Sequence, residues 1–227
     1  MTVSGNPGKN VQHPLVMGNK YLEIAATNSV KGLQQRFGSR AGYARREGGP
    51  TIHQQLGPDE ISFIEAQDTF FLASVSEAGW PYVQHRGGPK GFVKVLDQST
   101  IGFPEFSGNR QYLSFGNILQ DPRVSLFFLD FRRQERLKIF GRATLVERAE
   151  NPDLFRRLET ENLPSKVERG IIIQVEAFDW NCSQYIVPRF SEDEVHDLLQ
   201  PFKQRIDELE TRIRNQESGT ENPRVIK

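Results

Sequence analysis

Between Thr69 and Phe178 the chain carries a series of short runs rich in β-branched and aromatic residues, set too close together for long helices to fit between them. This spacing constrains the fold more than any other feature. Thr69–Ser76 (TFFLASVS) reads as a strand, Glu77-Ala78-Gly79-Trp80 as a turn and Pro81–His85 (PYVQH) as the second arm of a hairpin. Phe92–Leu96 and Thr100–Phe103 flank a turn at Asp97-Gln98, and Arg123–Asp130 (RVSLFFLD) is almost continuously apolar. Arg136–Glu147 alternates, with Gly141 placed for a bulge, and Ile171–Phe178 (IIIQVEAF) closes the series. The helical signals are short: a start at Gly57-Pro58-Asp59-Glu60, a stretch from Gly108 to Asp121, and Pro152–Glu161. Short strands with few helices between them predict a mainly β (α+β) chain built on an antiparallel barrel or sandwich, not a βαβ fold. No Gly-x-Gly-x-x-Gly follows a strand and there is no P-loop, so the two commonest nucleotide-binding architectures are excluded.

The flanks differ in kind. Residues 1–19 read as a disordered or loosely docked arm. Residues 20–49 hold weak helical pieces and a basic cluster (Lys31, Arg36, Arg40, Arg45, Arg46), which a solvated helix face explains. In the tail, Val195, Leu199, Phe202, Ile206, Leu209 and Ile213 follow one another at steps of 4, 3, 4, 3 and 4. That predicts an amphipathic helix which either packs on its own domain or pairs with a second copy. The expected organisation is an N-terminal extension (1–57), a barrel domain (58–190) and a C-terminal helix (191–227).

Composition narrows the function. The 227 residues carry 29 basic and 29 acidic side chains, which disfavours a nucleic-acid module or an anionic-membrane binder driven by bulk positive charge. One cysteine, Cys182, excludes an intramolecular disulfide and a cysteine-based metal site. The opening residues lack an apolar signal core and no run approaches the roughly 18 apolar residues needed to span a bilayer, so a cytoplasmic protein is expected. The basic side chains are 20 Arg to 9 Lys, and arginine suits bidentate recognition of phosphate.

Two segments have that character. In Tyr82–Leu96 (YVQHRGGPKGFVKVL) a strand ends at Arg86 and runs into Gly87-Gly88-Pro89, with Lys90 and Lys94 following. Glycine lets a ligand approach the backbone, and the cations would bond a phosphate. Taken alone, the segment is equally an ordinary hairpin loop with its cations in water. Phe103–Arg110 (FPEFSGNR) follows a strand and leads into a helix, where Asn109 can cap and Arg110 can join the helix N-terminus in an anion pocket. Together the segments suggest one phosphate held from two sides. No side chain stands out as an acid–base catalyst. Alternation puts His85 on the face opposite Arg86, which suits a structural role, and Cys182 reads as inert.

The ordered combination R-G-G-P…G-F-V…L-D, then G-N-R, then D-P-R-V resembles the flavin-binding split-barrel proteins of the pyridoxamine 5′-phosphate oxidase-like superfamily, over roughly Pro58–Phe190. The resemblance implies a homodimer of antiparallel split barrels with FMN in clefts at the interface. Arg86 matches the arginine that holds the FMN phosphate, and Asn109 and Arg110 match the second phosphate-binding motif, with Asn117 on the following helix a weaker match. Lys94 and Pro104, in the same two segments, complete the candidates on the phosphate side. Arg136 stands where relatives place a polar residue near the pyrimidine edge of the ring. Trp180, Asn181 and Gln184 resemble the segment that approaches the flavin from the partner subunit. The vitamin B6 oxidases themselves carry an arginine-plus-histidine element near the C-terminus; here Pro188-Arg189-Phe190 offers the arginine without a neighbouring histidine. The expectation is therefore an FMN-dependent oxidoreductase acting on a small molecule or a redox partner. A non-catalytic flavin- or haem-binding module and a deazaflavin-dependent reductase are the alternatives.

Overall fold

The computed structural model describes residues 18–47, 51–52, 54–106, 110–159, 167, 169–181 and 183–220. In chain order the elements are β1 (Gly18–Asn19), α1 (Lys20–Ala25), α2 (Asn28–Arg36), α3 (Arg40–Ala44), β2 (Thr51–Ile52), α4 (Pro58–Glu65), β3 (Thr69–Val75), β4 (Pro81–Gly87), β5 (Lys94–Asp97), β6 (Thr100–Glu105), α5 (Leu113–Gln120), β7 (Arg123–Asp130), β8 (Glu135–Glu147), α6 (Pro152–Leu158), β9 (Arg169–Asn181) and α7 (Glu192–Thr220). They form two compact units. One runs to Asp130 and resumes over Glu135–Ser183; the other joins Phe131–Gln134 to the chain from Gln184 onward.

The first unit is built on a seven-stranded sheet in the order β4-β3-β7-β8-β9-β6-β5, antiparallel at every pairing. Alternation decides which side chains turn inward. Phe70 and Leu72 of β3, Leu126 and Phe128 of β7, Leu137 and Ile139 of β8, and Ile171 and Ile173 of β9 are almost fully buried. Strands β3 and β6 are far apart in the sheet, yet the Phe70 and Phe103 rings meet edge to face at 5.1 Å. The sheet must therefore curl on itself, as the antiparallel split barrel expected from the sequence does. Helix α4 contributes Phe63 and Ile64 to the same core and α5 contributes Phe115 and Ile118. Each such side chain supplies roughly 1.5–3 kcal/mol on burial.

Local chemistry explains most of the boundaries. At the start of α4, Glu60 Oε2 accepts the Gly57 N–H at 2.9 Å. Gly79, at φ +82°, makes the β3–β4 turn. At Gly141 the β8–β9 register shifts, and a Cβ there would lie 2.6 Å from Ile173 Cγ2 and 2.7 Å from the Gln174 carbonyl oxygen. The bulge expected at this glycine is present, and a larger residue would not fit it.

Two expectations need correction. The helix expected from Gly108 starts later, at Leu113, because Arg110 and Tyr112 adopt the left-handed conformation at φ 58° and 54° and hold the chain out of a helix. Asn109 lies outside the described residues. Gly18 and Asn19, expected at the end of a loosely docked arm, are buried instead; residues 1–17 lie outside the described residues. Asn19 Oδ1 accepts the Leu22 N–H at 3.1 Å to cap α1, while its Nδ2 donates to Asp179 Oδ1 at 2.8 Å. Asp179 also faces Lys138 Nζ at 3.2 Å, and that ammonium sits 4.5 Å from the centre of the Tyr21 ring. Tyr21 stacks on Phe140 at 4.2 Å. Burial, with the negative charge of Asp179 beside it, pushes the Tyr21 hydroxyl up to about 12. Arg40 of the basic cluster holds both carboxylate oxygens of Glu47, at 2.5 and 2.6 Å, which brings Glu47 down to about 2.

The second unit ties the Phe131–Gln134 turn to the C-terminal segment. Gln134 Nε2 donates to the Ile186 carbonyl at 2.6 Å, the Arg189 guanidinium lies 4.8 Å from the Phe131 ring, and Arg132 stands 3.6 Å from Glu194. Helix α7 begins with three acids, Glu192, Asp193 and Glu194, which suit the positive end of its dipole. No helix among the described residues is long and apolar enough to cross a membrane.

Candidate functional site

The β3–β4 register pairs Phe70 with Arg86, Leu72 with Gln84 and Ser74 with Tyr82. Since Phe70 and Leu72 point into the core, Arg86, Gln84 and Tyr82 take the same face. His85 takes the other, as alternation required: its Nε2 meets the Thr69 hydroxyl at 2.5 Å and its ring lies against Phe71. At the end of β4, Arg86 therefore reaches inward over a cavity of about 550 Å³, well inside the size range of small-molecule sites.

Among the described residues, four charged side chains line that cavity: Arg86, Arg110, Arg169 and Glu105. Glu105 ends β6 and is paired across the sheet with Arg169, the first residue of β9. Arg86 Nη1 donates to Glu105 Oε2 at 2.6 Å. Its Nε is buried and has no hydrogen-bond partner among the described residues, and a buried donor left unmade costs on the order of 1–3 kcal/mol. Arg110 is exposed at the mouth, in the left-handed turn that precedes α5. The Arg169 guanidinium lies 5.6 Å from the Tyr112 ring and its Nε donates to Glu147 at 3.1 Å. Glu147, and then Tyr112, raise the pKa of Arg169, so the group is permanently charged. With Glu105 on Arg86 and Glu147 on Arg169, the three guanidiniums leave one net positive charge at the cavity, which favours an anionic group such as a phosphate.

Of the residues anticipated from sequence, the structure brings Arg86, Pro104 and Arg110 together on this cavity. The others are placed elsewhere. Lys94 opens β5 and does not line it. Asn117 is buried on α5, where its Nδ2 donates to Ser74 Oγ at 3.0 Å and fastens the helix to β3. Arg136 and Asn181 pair across β8 and β9 at the far end of those strands. Trp180 donates from Nε1 to Glu60 Oε1 at 2.7 Å and meets Phe63 edge to face at 4.7 Å. Gln184 belongs to the second unit, and Cys182 lies outside the described residues. Arg169 and Trp180 stand near opposite ends of the 13-residue β9, on the order of 35 Å apart along the strand.

The glycine after Arg86 and Gly87 also acts differently from expectation. A Cβ on Gly88 would sit 2.7 Å from Phe92 Cγ, so the residue is glycine to let Phe92 pack. Sequence reasoning missed Glu105, Tyr112 and Arg169. Arg169 carries no local signal, since it reaches the cavity only through the pairing of β6 with β9.

The sequence profile of the pyridoxamine 5′-phosphate oxidase family matches residues 59–173, just over half of the chain. No curated protein matches the chain. Solved structures with a similar fold include tagged HupZ from Group A Streptococcus, with 15% identity and a TM-score of 0.42 over 60% of this chain and 100% of that one. A protein related to general stress protein 26 of B. subtilis, of the pyridoxinephosphate oxidase family and from Clostridium acetobutylicum, has 12% identity and a TM-score of 0.40 over 60% of this chain and 94% of that one. An FMN-binding protein from Syntrophomonas wolfei has 8% identity and a TM-score of 0.41 over 54% of this chain and 86% of that one. The family profile alone carries the assignment, because it spans α4 and every strand of the curled sheet down to the first half of β9, with Arg86, Arg110 and Arg169 inside it. This chain belongs to the pyridoxamine 5′-phosphate oxidase family.

Proposed function

We propose that this protein binds FMN with the phosphate in the arginine-lined cavity, and that it works as a homodimeric oxidoreductase on a small molecule or a redox partner. The observation that carries the reading is a cavity of small-molecule size on which, among the described residues, guanidiniums outnumber carboxylates three to one. A phosphate is the anion that such a cluster of guanidiniums suits, by charge and by paired N–H donors. The residues therefore fit the group. Bound there, FMN supplies the electron-transfer chemistry that the protein's own side chains lack. Arg86 at the end of β4 and Arg110 in the turn before α5 would grip the phosphate, and Arg169, braced by Glu147, would add a fixed charge. Tyr82 and Gln84, on the same face of β4, offer hydrogen-bonding groups along the cavity wall.

The dimer rests on an exposed apolar face at the edge of the sheet. Trp180, Asn181 and Arg136 stand at the strand ends opposite Arg169, too far for one mononucleotide to touch both sets within one chain. If they serve the flavin ring, they serve the ring held by the other subunit. The outer face of β3 and β4 supports such an interface, since Phe71, Val75 and Val83 are exposed there beside Trp80. Contiguous apolar surface of this kind marks association sites.

The test is to denature the purified protein and identify the released chromophore by mass, after recording its visible spectrum and its molar mass in solution. FMN in a dimer agrees with the reading. A haem with its Soret band, a deazaflavin bound more tightly than FMN, or a monomer with no affinity for flavin would each overturn it.

A further inference from the structure

Helix α7 displays a seam of large apolar side chains, and we propose that this seam pairs with α7 of a second copy of the chain as a parallel, in-register, two-stranded coiled coil. The inference stands on the helix itself and does not depend on the flavin reading. Val195, Leu199, Phe202, Ile206, Leu209 and Ile213 alternate steps of four and three, and each is between 40% and 67% exposed. Assigning that alternation to a heptad places Leu199, Ile206 and Ile213 at a, and Val195, Phe202 and Leu209 at d. Six large side chains on one stripe need a covering surface.

Two features select a second α7 as that surface. Two of the three a positions are β-branched isoleucine, and Leu209 lies at d between them, the combination that favours two parallel strands over three or four. The flanking charges select the direction. Arg205 falls at g and Glu210 at e, so a parallel pair in register sets Arg205 of each copy against Glu210 of the other, twice by symmetry. An antiparallel pair would instead set the g positions Arg205 and Arg212 against one another, which is repulsive. In the single chain Arg205 reaches Glu208 at 2.9 Å, but both groups are largely exposed, so that contact is cheaply exchanged. Pro201 falls at c, away from the seam, and its missing N–H loosens the helix ahead of Phe202. The tight part of the seam is accordingly Phe202–Ile213. A seam this short is weak between free helices and gains from any tether that raises the local concentration.

Disulfide trapping in the full chain tests this, with Cys182 replaced by serine. Ile206→Cys and Ile213→Cys place a thiol at a positions, and Asp207→Cys places one at b. Each variant is first shown to melt as the parent does, then oxidised mildly at micromolar concentration. Parallel pairing predicts a covalent dimer from both a-position variants, at least tenfold faster than from Asp207→Cys. Arg205→Glu should slow the trapping and Arg205→Glu with Glu210→Arg should restore it. Trapping at only one of the two a positions points to antiparallel pairing and overturns the proposal. Trapping at neither means that α7 covers its seam within its own chain or on a different partner, and equal rates at all three positions mean random collision; both overturn it too.

Discussion

The two ends of β9 show the same kinds of side chain in opposite states. At the Trp180 end, Trp180 bonds Glu60, and Asp179 takes Asn19 on one oxygen and Lys138 on the other. At the Arg169 end, polar groups surround an open space, and Arg86 keeps a buried donor without a partner among the described residues. The first anchors a tryptophan and docks an N-terminal helix; the second is the open space that the proposed phosphate would fill. Residue type does not separate the two ends, since each has cations, carboxylates and aromatics. What separates them is space: a cavity opens at the Arg169 end, whereas Trp180 and Asp179 are packed against protein partners.

That contrast can be broken by substitution. The largest expected effect is at the closed end. Trp180→Ala should destabilise the protein by about 3 kcal/mol, from lost packing on Phe63 and a stranded Glu60, seen as a fall in melting temperature of the same size with or without added FMN. A melt unchanged without FMN but lowered in its presence would move Trp180 to the ligand. At the open end, Arg169→Ala should cost less flavin affinity than loss of Arg86, about fivefold, because Glu147 already engages that guanidinium. Glu105→Gln should do the reverse of an arginine deletion. The Glu105 carboxylate now occupies Arg86, so removing its charge should raise FMN affinity about two- to fivefold; weaker binding would make Glu105 a support for Arg86 rather than a competitor.

The smallest effect is a pH effect at the closed end. The Tyr21 hydroxyl titrates at about 12, above its ordinary 10. A raised pKa means that the folded state holds the proton more tightly than the unfolded chain. The stability gained is complete below pH 10 and is lost as the pH climbs from 10 towards 12. The phenolate absorbance of the wild type should show one late-titrating tyrosine that Tyr21→Phe removes, with no change in stability at neutral pH. An unaltered titration in that variant would place the late group elsewhere.

The sheet was largely legible in the sequence because its signals are local. The apolar run of β7 was read with its observed ends, Arg123 and Asp130, and the Gly141 bulge and the β3–β4 hairpin each turn on one glycine in a telling place. The start of α5 was not, because Arg110 and Tyr112 take the left-handed conformation without being glycine, asparagine or aspartate. The cavity was half legible. Arg86 and Arg110 each stand in a segment of unusual composition, whereas Arg169 joins them only through the pairing of β6 with β9, which no nearby residue announces. The docking of α1 is beyond any local pattern, since Asn19 and Asp179 are 160 positions apart.

The central claim is that the Arg86 cavity recognises the phosphate of a flavin nucleotide, and the most direct measurement is a paired titration of the apo-protein with FMN and with riboflavin, in wild type and in Arg86→Ala. A charge-assisted bond contributes about 1.5–3 kcal/mol, so the account predicts a roughly 10- to 150-fold loss of FMN affinity in the variant, with riboflavin bound equally by both proteins. Equal losses for the two ligands, or none for FMN, would contradict it.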